Sequence, residues 1–198
     1  MTTRIIKANG GIAVPDYGWE ANEYLGAGVQ RTRNAAGILR GDQGAMSCWV
    51  SINYPANDGV THPIMGLAPI NANPASQVGI VKLNVNQLGL FIDNGGGIQA
   101  ASIGVSPAVF PRYQWHHLYI SWSAAAGEFW MDGTLRNSRG ATNVGDQVLP
   151  AGAEVYMGNI ALGNANAWIR NPMFWNEPLP QELIPKLWRM PMGFSGDM

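Results

Sequence analysis

Cys48 is the single cysteine among 198 residues. No intrachain disulfide can form, which excludes a small secreted fold framed by disulfides and fits a reducing compartment. Charge is scarce as well. Asp, Glu, Lys and Arg make up 13% of the chain, against about 25% in an ordinary soluble domain. The net charge of −1 offers no basic surface for nucleic acid or an anionic membrane. No run approaches the roughly 18 apolar residues of a membrane span, so membrane insertion is not expected. The start, Met1-Thr2-Thr3-Arg4-Ile5-Ile6-Lys7, lacks an apolar core, so no secretory signal is expected either. Paired acids are missing too. A retaining glycosidase needs two carboxylates about 5 Å apart, which on one strand means acids two residues apart. Glu20 and Glu23 are three apart, and a strand ending in a turn separates Glu128 from Asp132. Enzymatic activity is therefore not expected.

What is present is aromatic and turn-forming. Aromatic residues make up 10% of the chain, with 8 Trp, and there are 25 Gly. Such a chain has enough bulky apolar mass to fold, and its length suits one large β-sandwich. A surface of Asn, Ser, Thr and Gly suits either packing against other subunits, where charges lose hydration, or simply a neutral soluble domain.

Short strands dominate the pattern. Residues 46–52, 62–67, 78–83, 88–92, 128–131, 155–158 and 167–174 carry β-rich or alternating composition between turn clusters. Asp93-Asn94-Gly95-Gly96-Gly97 must turn. Residues 115–122 alternate cleanly: His116, Leu118, Ile120 and Trp122 share the more apolar face, which is expected to meet the core. Trp115, His117, Tyr119 and Ser121 share the other. Asp132-Gly133 closes the returning strand in a tight turn. Only one segment reads as helical. Pro180 fits a first turn, Leu183, Ile184 and Leu187 share a face, and Pro185 limits or kinks the helix. The expected class is all-β, an antiparallel two-sheet sandwich with one short C-terminal helix. Residues 1–44 read either as an extended arm of opposed charge or as a first strand with a long solvated loop. Ile5-Ile6 and Ile12–Val14 are its strand candidates.

Several of these segments, in this order, resemble one family. WHHLYISWSAAAGEFWMDG (115–133) resembles the hairpin of the concanavalin A-like, laminin G-like jelly rolls. MSCWVSI (46–52) looks like the strand that carries the family's buried Trp, and PIMGL (63–67) like the next strand. VYMGNI (155–160) and WIRNPMFWNEPLPQELIPKLW (168–188) look like the closing strands and terminal helix, with Glu182 on that helix. The resemblance covers residues 45–188. It departs from the family at Pro180, where a Ser or Thr cap is usual. It implies three parts: an N-terminal arm with a first strand (1–44), a jelly-roll domain (45–188) and a C-terminal tail (189–198). LWRMPMGF (187–194) is similar to the tails of such domains in tailed-phage virion proteins. That similarity implies a non-enzymatic virion protein, most simply a capsid decoration or accessory protein. Its partners would be capsid or other virion proteins and further copies of itself, as a dimer or trimer. The alternative, also implied by the family, is a lectin-like module that recognises host surface sugars.

Candidate residues follow from these two readings. For glycan contact they are Trp168, Tyr54 and Tyr113, aromatics near loop-rich ground. For assembly they are Trp19, Arg31, Arg33 and Arg40 near the N-terminus and Trp188 and Phe194 near the C-terminus. Trp49, Trp122, Trp130 and Trp175 are expected in the core. No metal or cofactor is expected. His116 and His117 point to opposite faces of one strand. Calcium is the one ion the family resemblance leaves possible; it favours clustered acids, whereas Asp58, Asp93, Asp132 and Asp146 each sit singly in or near a turn. Cys48 has no activating base in view and reads as a small buried residue.

Overall fold

The computed structural model describes residues 23–25, 30–140, 144–158 and 163–189. It is an antiparallel sandwich of two six-stranded sheets. The strands are β1 (Glu23–Leu25), β2 (Gln30–Asn34), β3 (Gly44–Ile52), β4 (His62–Ala68), β5 (Gln77–Lys82), β6 (Gln87–Asp93) and β7 (Ile98–Gly104). They continue with β8 (His116–Trp122), β9 (Ala126–Met131), β10 (Thr134–Gly140), β11 (Glu154–Gly158) and β12 (Ala167–Trp175). A 3-10 turn at Gln181–Leu183 leads into the short helix α1 (Ile184–Arg189). The first sheet runs β1-β12-β3-β8-β9-β10 and the second β2-β11-β4-β5-β6-β7. This is a jelly-roll arrangement, as the strand pattern leads one to expect. None of the described helices is long and apolar enough to cross a membrane.

Alternation explains the core. Met46, Cys48, Val50 and Ile52 of β3 point between the sheets, as do Leu118, Ile120 and Trp122 of β8 and Ala167 and Ile169 of β12. They meet Ile64, Leu67, Val78, Ile80, Leu88, Leu90 and Ile92 from the second sheet. The outward residues of the first sheet form a second, smaller cluster. Ala45, Tyr119, Trp130 and Trp175 lie beneath Ile184 and Leu187 of α1. Trp122 is therefore a core residue as expected. Trp130 and Trp175 are buried on the opposite side of the sheet, under the helix rather than between the sheets.

Several boundaries differ from the sequence reading. Residues 23–25 pair with β12, and 30–34 pair with β11. Ala35 and Leu39 enter the main core. The described part of the stretch before residue 45 thus supplies two edge strands and a core-bound turn. The strand candidates Ile5-Ile6 and Ile12–Val14 lie outside the described residues. β7 and β10 were not legible in sequence. β10 is TLRNSRG and almost wholly exposed, so no apolar alternation marks it. It pairs with β9 through a bulge between Leu135 and Asn137, and Asn137 donates to the Ser102 carbonyl of β7 at 2.6 Å. That bond ties the free edges of the two sheets together.

Glycines admit close packing at defined points. A Cβ on Gly44 would stand 2.6 Å from the Trp122 ring and 2.8 Å from the Trp175 carbonyl. On the second sheet the Tyr156 ring lies across Gly66 and Gly79, whose paired backbones leave room for it. Gly44→Val is expected to destabilise by about 1–3 kcal/mol through overpacking. Gly104→Ala, with nothing within 4 Å of the added carbon, is expected to change little. Urea denaturation of the two variants checks this.

Candidate functional site

The outer face of the first sheet has two halves. α1 covers one half. The other half, toward the end where β12 begins and β3 finishes, carries aromatic rings and guanidinium groups. Trp168 and Arg170 of β12 pair with Ser51 and Trp49 of β3, and Trp49 pairs in turn with His117 of β8. Pleating turns all five toward the same side, because Ala167, Ile169, Cys48, Val50 and Leu118 point into the core. Trp115 precedes β8 by one residue and shares the parity of His117.

Specific contacts fix this face. The Arg170 guanidinium lies over the Trp115 ring at 4.5 Å. Trp49 packs against His117 with ring centroids 5.5 Å apart. Tyr113 takes a left-handed φ of 61°, and its N–H donates to the Ile52 carbonyl at 2.9 Å. This turn brings its ring edge-on to Trp168, with centroids 6.2 Å apart. Arg112 stacks over the Tyr113 ring at 5.0 Å, and its Nη2 donates to the Tyr113 hydroxyl at 2.8 Å. Tyr113 is 61% exposed, whereas Trp49, Trp115 and Trp168 are half-buried. Rings that are held by such contacts and still partly exposed make an inexpensive recognition surface, since few rotamers are lost on binding.

Histidines and carboxylates near this end serve the fold. The Asp132 carboxylate accepts from the His117 backbone N–H at 2.9 Å and bonds His116 Nδ1 at 2.8 Å. The β9–β10 turn is thereby held against β8. His117 is 1% exposed. Burial pushes its imidazole down to about 4, although Asp132 pulls the other way. A second cluster closes the loop after β3. Lys82, fully buried, donates to Asp58 and, at 2.9 Å, to the Val60 carbonyl. His62 lies between Asp58, at 2.7 Å, and the Asn164 carbonyl, at 2.6 Å. Burial alone would raise the Asp58 carboxyl. The hydrogen bonds from Lys82 and His62 together outweigh it and hold the carboxyl below its ordinary value. Cys48 is buried, which pushes its thiol up and leaves it inert. Among the described residues no group of three or more His, Cys, Asp or Glu is placed to hold a metal ion.

The sequence candidates divide accordingly. Tyr113 and Trp168 come together on the exposed face. Tyr54 does not join them: it is 7% exposed, belongs to the main core and stacks on His62 at 3.6 Å. Its position after β3 suggested a loop ring in solvent, but the Asp58 cluster folds that loop inward over it. Trp49 corrects the expectation in the other direction, since it leaves the core and faces outward beside Arg170. Trp115, Arg112 and Arg170 were not singled out in sequence. The outward parity of Trp115 is visible there, but its neighbours are set by strand register. Of the assembly candidates, Arg31 and Arg33 are exposed on the edge strand β2. Arg40 forks onto Asp42 at 2.6 and 2.9 Å, and Trp188 packs beside Gly133 with 38% of its surface exposed. Trp19 and Phe194 lie outside the described residues.

No family model matches the chain, and no curated protein matches it in sequence. Solved structures do match in fold. The ligand-binding domain of botulinum neurotoxin serotype D in complex with N-acetylneuraminic acid aligns over 93% of this chain and 49% of its own, with TM-score 0.63 and 14% identity. The binding domain of botulinum neurotoxin DC in complex with SialylT aligns over 95% of this chain and 46% of its own, with TM-score 0.62 and 14% identity. The serotype G binding domain aligns over 91% and 49%, with TM-score 0.59 and 14% identity. The chain spans about half the length of these structures. At this identity the likeness shows the fold alone, a two-sheet β-sandwich.

Stability is expected to fall with pH in two successive windows. His117 titrates from 6.5 when unfolded to about 4 when folded, so the unfolded state binds more protons between those values. Stability is lost progressively as pH drops from 6.5 to about 4, by roughly 3 kcal/mol in all. Asp58, held below the ordinary carboxyl value of 3.8 by Lys82 and His62, adds a further loss below that pH. Denaturation midpoints measured from pH 7.5 to 3 check this, and His117→Gln is expected to flatten the upper window only. Lys82→Met leaves the Asp58 carboxylate without its buried partner, and a loss of about 3 kcal/mol is expected at neutral pH by the same measurement.

Proposed function

We propose that this chain is a non-enzymatic carbohydrate-binding module whose contact surface is the outer aromatic face formed by Trp49, Tyr113, Trp115 and Trp168. One observation carries the reading. Exposed Tyr113 and half-buried Trp168 meet edge-on at 6.2 Å, beside two further outward-facing Trp, on a sheet that the C-terminal helix covers only over its other half. Pyranose rings present flat C–H faces that stack on aromatic rings, while polar edges around the rings fix orientation. The structural neighbours support the same reading, since two of them are described in complex with N-acetylneuraminic acid or SialylT. Because the match spans about half of those chains, their ligands belong to larger proteins. This chain's own rings therefore bear the weight.

A binding role also suits the acids nearby. Asp132 is engaged by His116 and His117, Asp58 by Lys82 and His62, and Glu128 by Trp130 and Gln181. These pairs serve folding. Display on a phage particle rests on composition and on the 187–194 tail, most of which lies outside the described residues. The neighbours favour the carbohydrate reading over it.

Binding to a glycan array, followed by calorimetry on each glycan retained, tests the proposal. Trp168→Ala is expected to weaken binding at least tenfold, about 1.4 kcal/mol, and Tyr113→Ala is expected to act in the same direction. Trp188→Ala, on the helix-covered half, is expected to bind as the parent does. Failure to retain any glycan, or unchanged affinity in Trp168→Ala, would sink the reading.

A further inference from the structure

We propose that the Lys82 amine and the Asp58 carboxyl condense to an amide, an internal cross-link between side chains, with His62 relaying a proton. The reacting groups already touch. Lys82 is fully buried, and its ammonium donates to Asp58 Oδ1 and, at 2.9 Å, to the Val60 carbonyl. His62, directly opposite Lys82 in the β4–β5 pairing, places Nε2 2.7 Å from the other oxygen, Asp58 Oδ2. The Tyr54 ring lies flat on the imidazole, with centroids 3.6 Å apart, and the Lys82 nitrogen stands 5.8 Å from the same ring. Lysine is almost never fully buried unless paired. Here two paired strands and the loop before them hold nitrogen and carboxyl together, which removes most of the entropic barrier to a bond between them.

The step balances within the cluster. The Nζ–Cγ bond forms and the Cγ–Oδ2 bond breaks. Of the three ammonium protons, one stays on the amide nitrogen and two leave with Oδ2 as water. The first of these two passes to the carboxylate, which frees the Nζ lone pair to attack Cγ. The second reaches Oδ2 through His62 Nε2. The Asn164 carbonyl, 2.6 Å from His62 Nδ1, only accepts, so Nδ1 carries a hydrogen. Nε2 is then the ring nitrogen that takes and gives the proton. Asp58 keeps 17% of its side chain exposed, whereas Lys82 keeps none. The water therefore has a way out on the side of the atom that leaves.

The product suits the site. Opposite charges held away from water carry a desolvation cost that their attraction does not always offset, and an amide removes both charges. Its N–H stays on the Val60 carbonyl. The bond closes the chain from residue 58 to residue 82, 24 positions apart, and fixes the loop that folds Tyr54 inward. A link of that span restrains the unfolded chain as a disulfide does, in a sequence whose single cysteine forms none internally. The carboxyl held below its ordinary value by Lys82 and His62 belongs to the chain before closure. Once linked, Asp58 no longer titrates.

Intact-mass spectrometry of the denatured full chain, followed by tryptic mapping, decides the matter. The chain is expected to be lighter than its sequence by one water. Trypsin is expected to pass over Lys82, because an acylated lysine is not cut, and fragmentation is expected to place the bond between Asp58 and Lys82. Asp58→Ala and Lys82→Arg are expected at full sequence mass, with cleavage after position 82 restored. His62→Gln is expected to close at least about tenfold more slowly, read from the two masses over a time course of cell-free synthesis. A parent chain at full sequence mass overturns the proposal. So does a loss of water with Lys82 still cut, since Asp58-Gly59 also loses water when the carboxyl closes on the Gly59 nitrogen. A His62→Gln chain that closes as fast as the parent overturns the relay and leaves the bond standing.

Discussion

A pleated strand sends every second side chain away from the core, and the molecule depends on how the outward set of the central strands is dealt with. In β3, β8 and β12 the inward set is apolar and meets the second sheet. The outward set is also bulky, with Trp49, Tyr119, Trp168 and Trp175 among its members, and a sheet cannot leave so much apolar surface wet without cost. The C-terminal segment answers for half of it. Pro180 and Pro185 restrict that segment to a 3-10 turn and a short helix, and Ile184 and Leu187 seal Tyr119, Trp130 and Trp175. The Tyr119 hydroxyl accepts the Leu179 N–H at 2.9 Å, which anchors the approach to the helix. The described helix ends at Arg189, and the rings it seals are those of the half nearest to it.

The remaining half is where binding is proposed, and its order comes from the hairpin beside it. Asp132 holds a left-handed φ of 54° while its carboxylate clasps His116 and the His117 N–H. The turn is therefore tied directly to the strand on which His116 and His117 stand. At the opposite side of the same end, the Asp58–Lys82–His62 cluster tucks Tyr54 inside. Two polar clusters thus frame the aromatic face.

The fold was largely legible because alternation and turn chemistry are local. The parity of residues 115–122, the Asp-Gly turn and the two prolines of the terminal segment all act within a few residues. What escaped was exposed or depended on register. β10 has no buried side to betray it, and β7 is a half-covered edge. The site was legible only in pieces. Trp168 and Tyr113 stand out as aromatics near loops, but nothing local says that Arg170 will reach Trp115 across β3. Tyr54 misled for the same reason. Its burial is imposed by Lys82, nearly thirty residues away along the chain, whose charge found a partner in the loop above it.

Tyr156 illustrates a different consequence of close packing. Its ring rests where Gly66 and Gly79 pair, and a side chain at either glycine would need the space the ring now fills. The three positions are not separate choices. Shrinking the tyrosine alone would not admit a side chain at either glycine, because a Cβ on Gly66 would still stand 2.6 Å from the Val78 carbonyl oxygen and one on Gly79 2.7 Å from that of Met65; the backbone itself, and not only the ring, reserves both places for glycine.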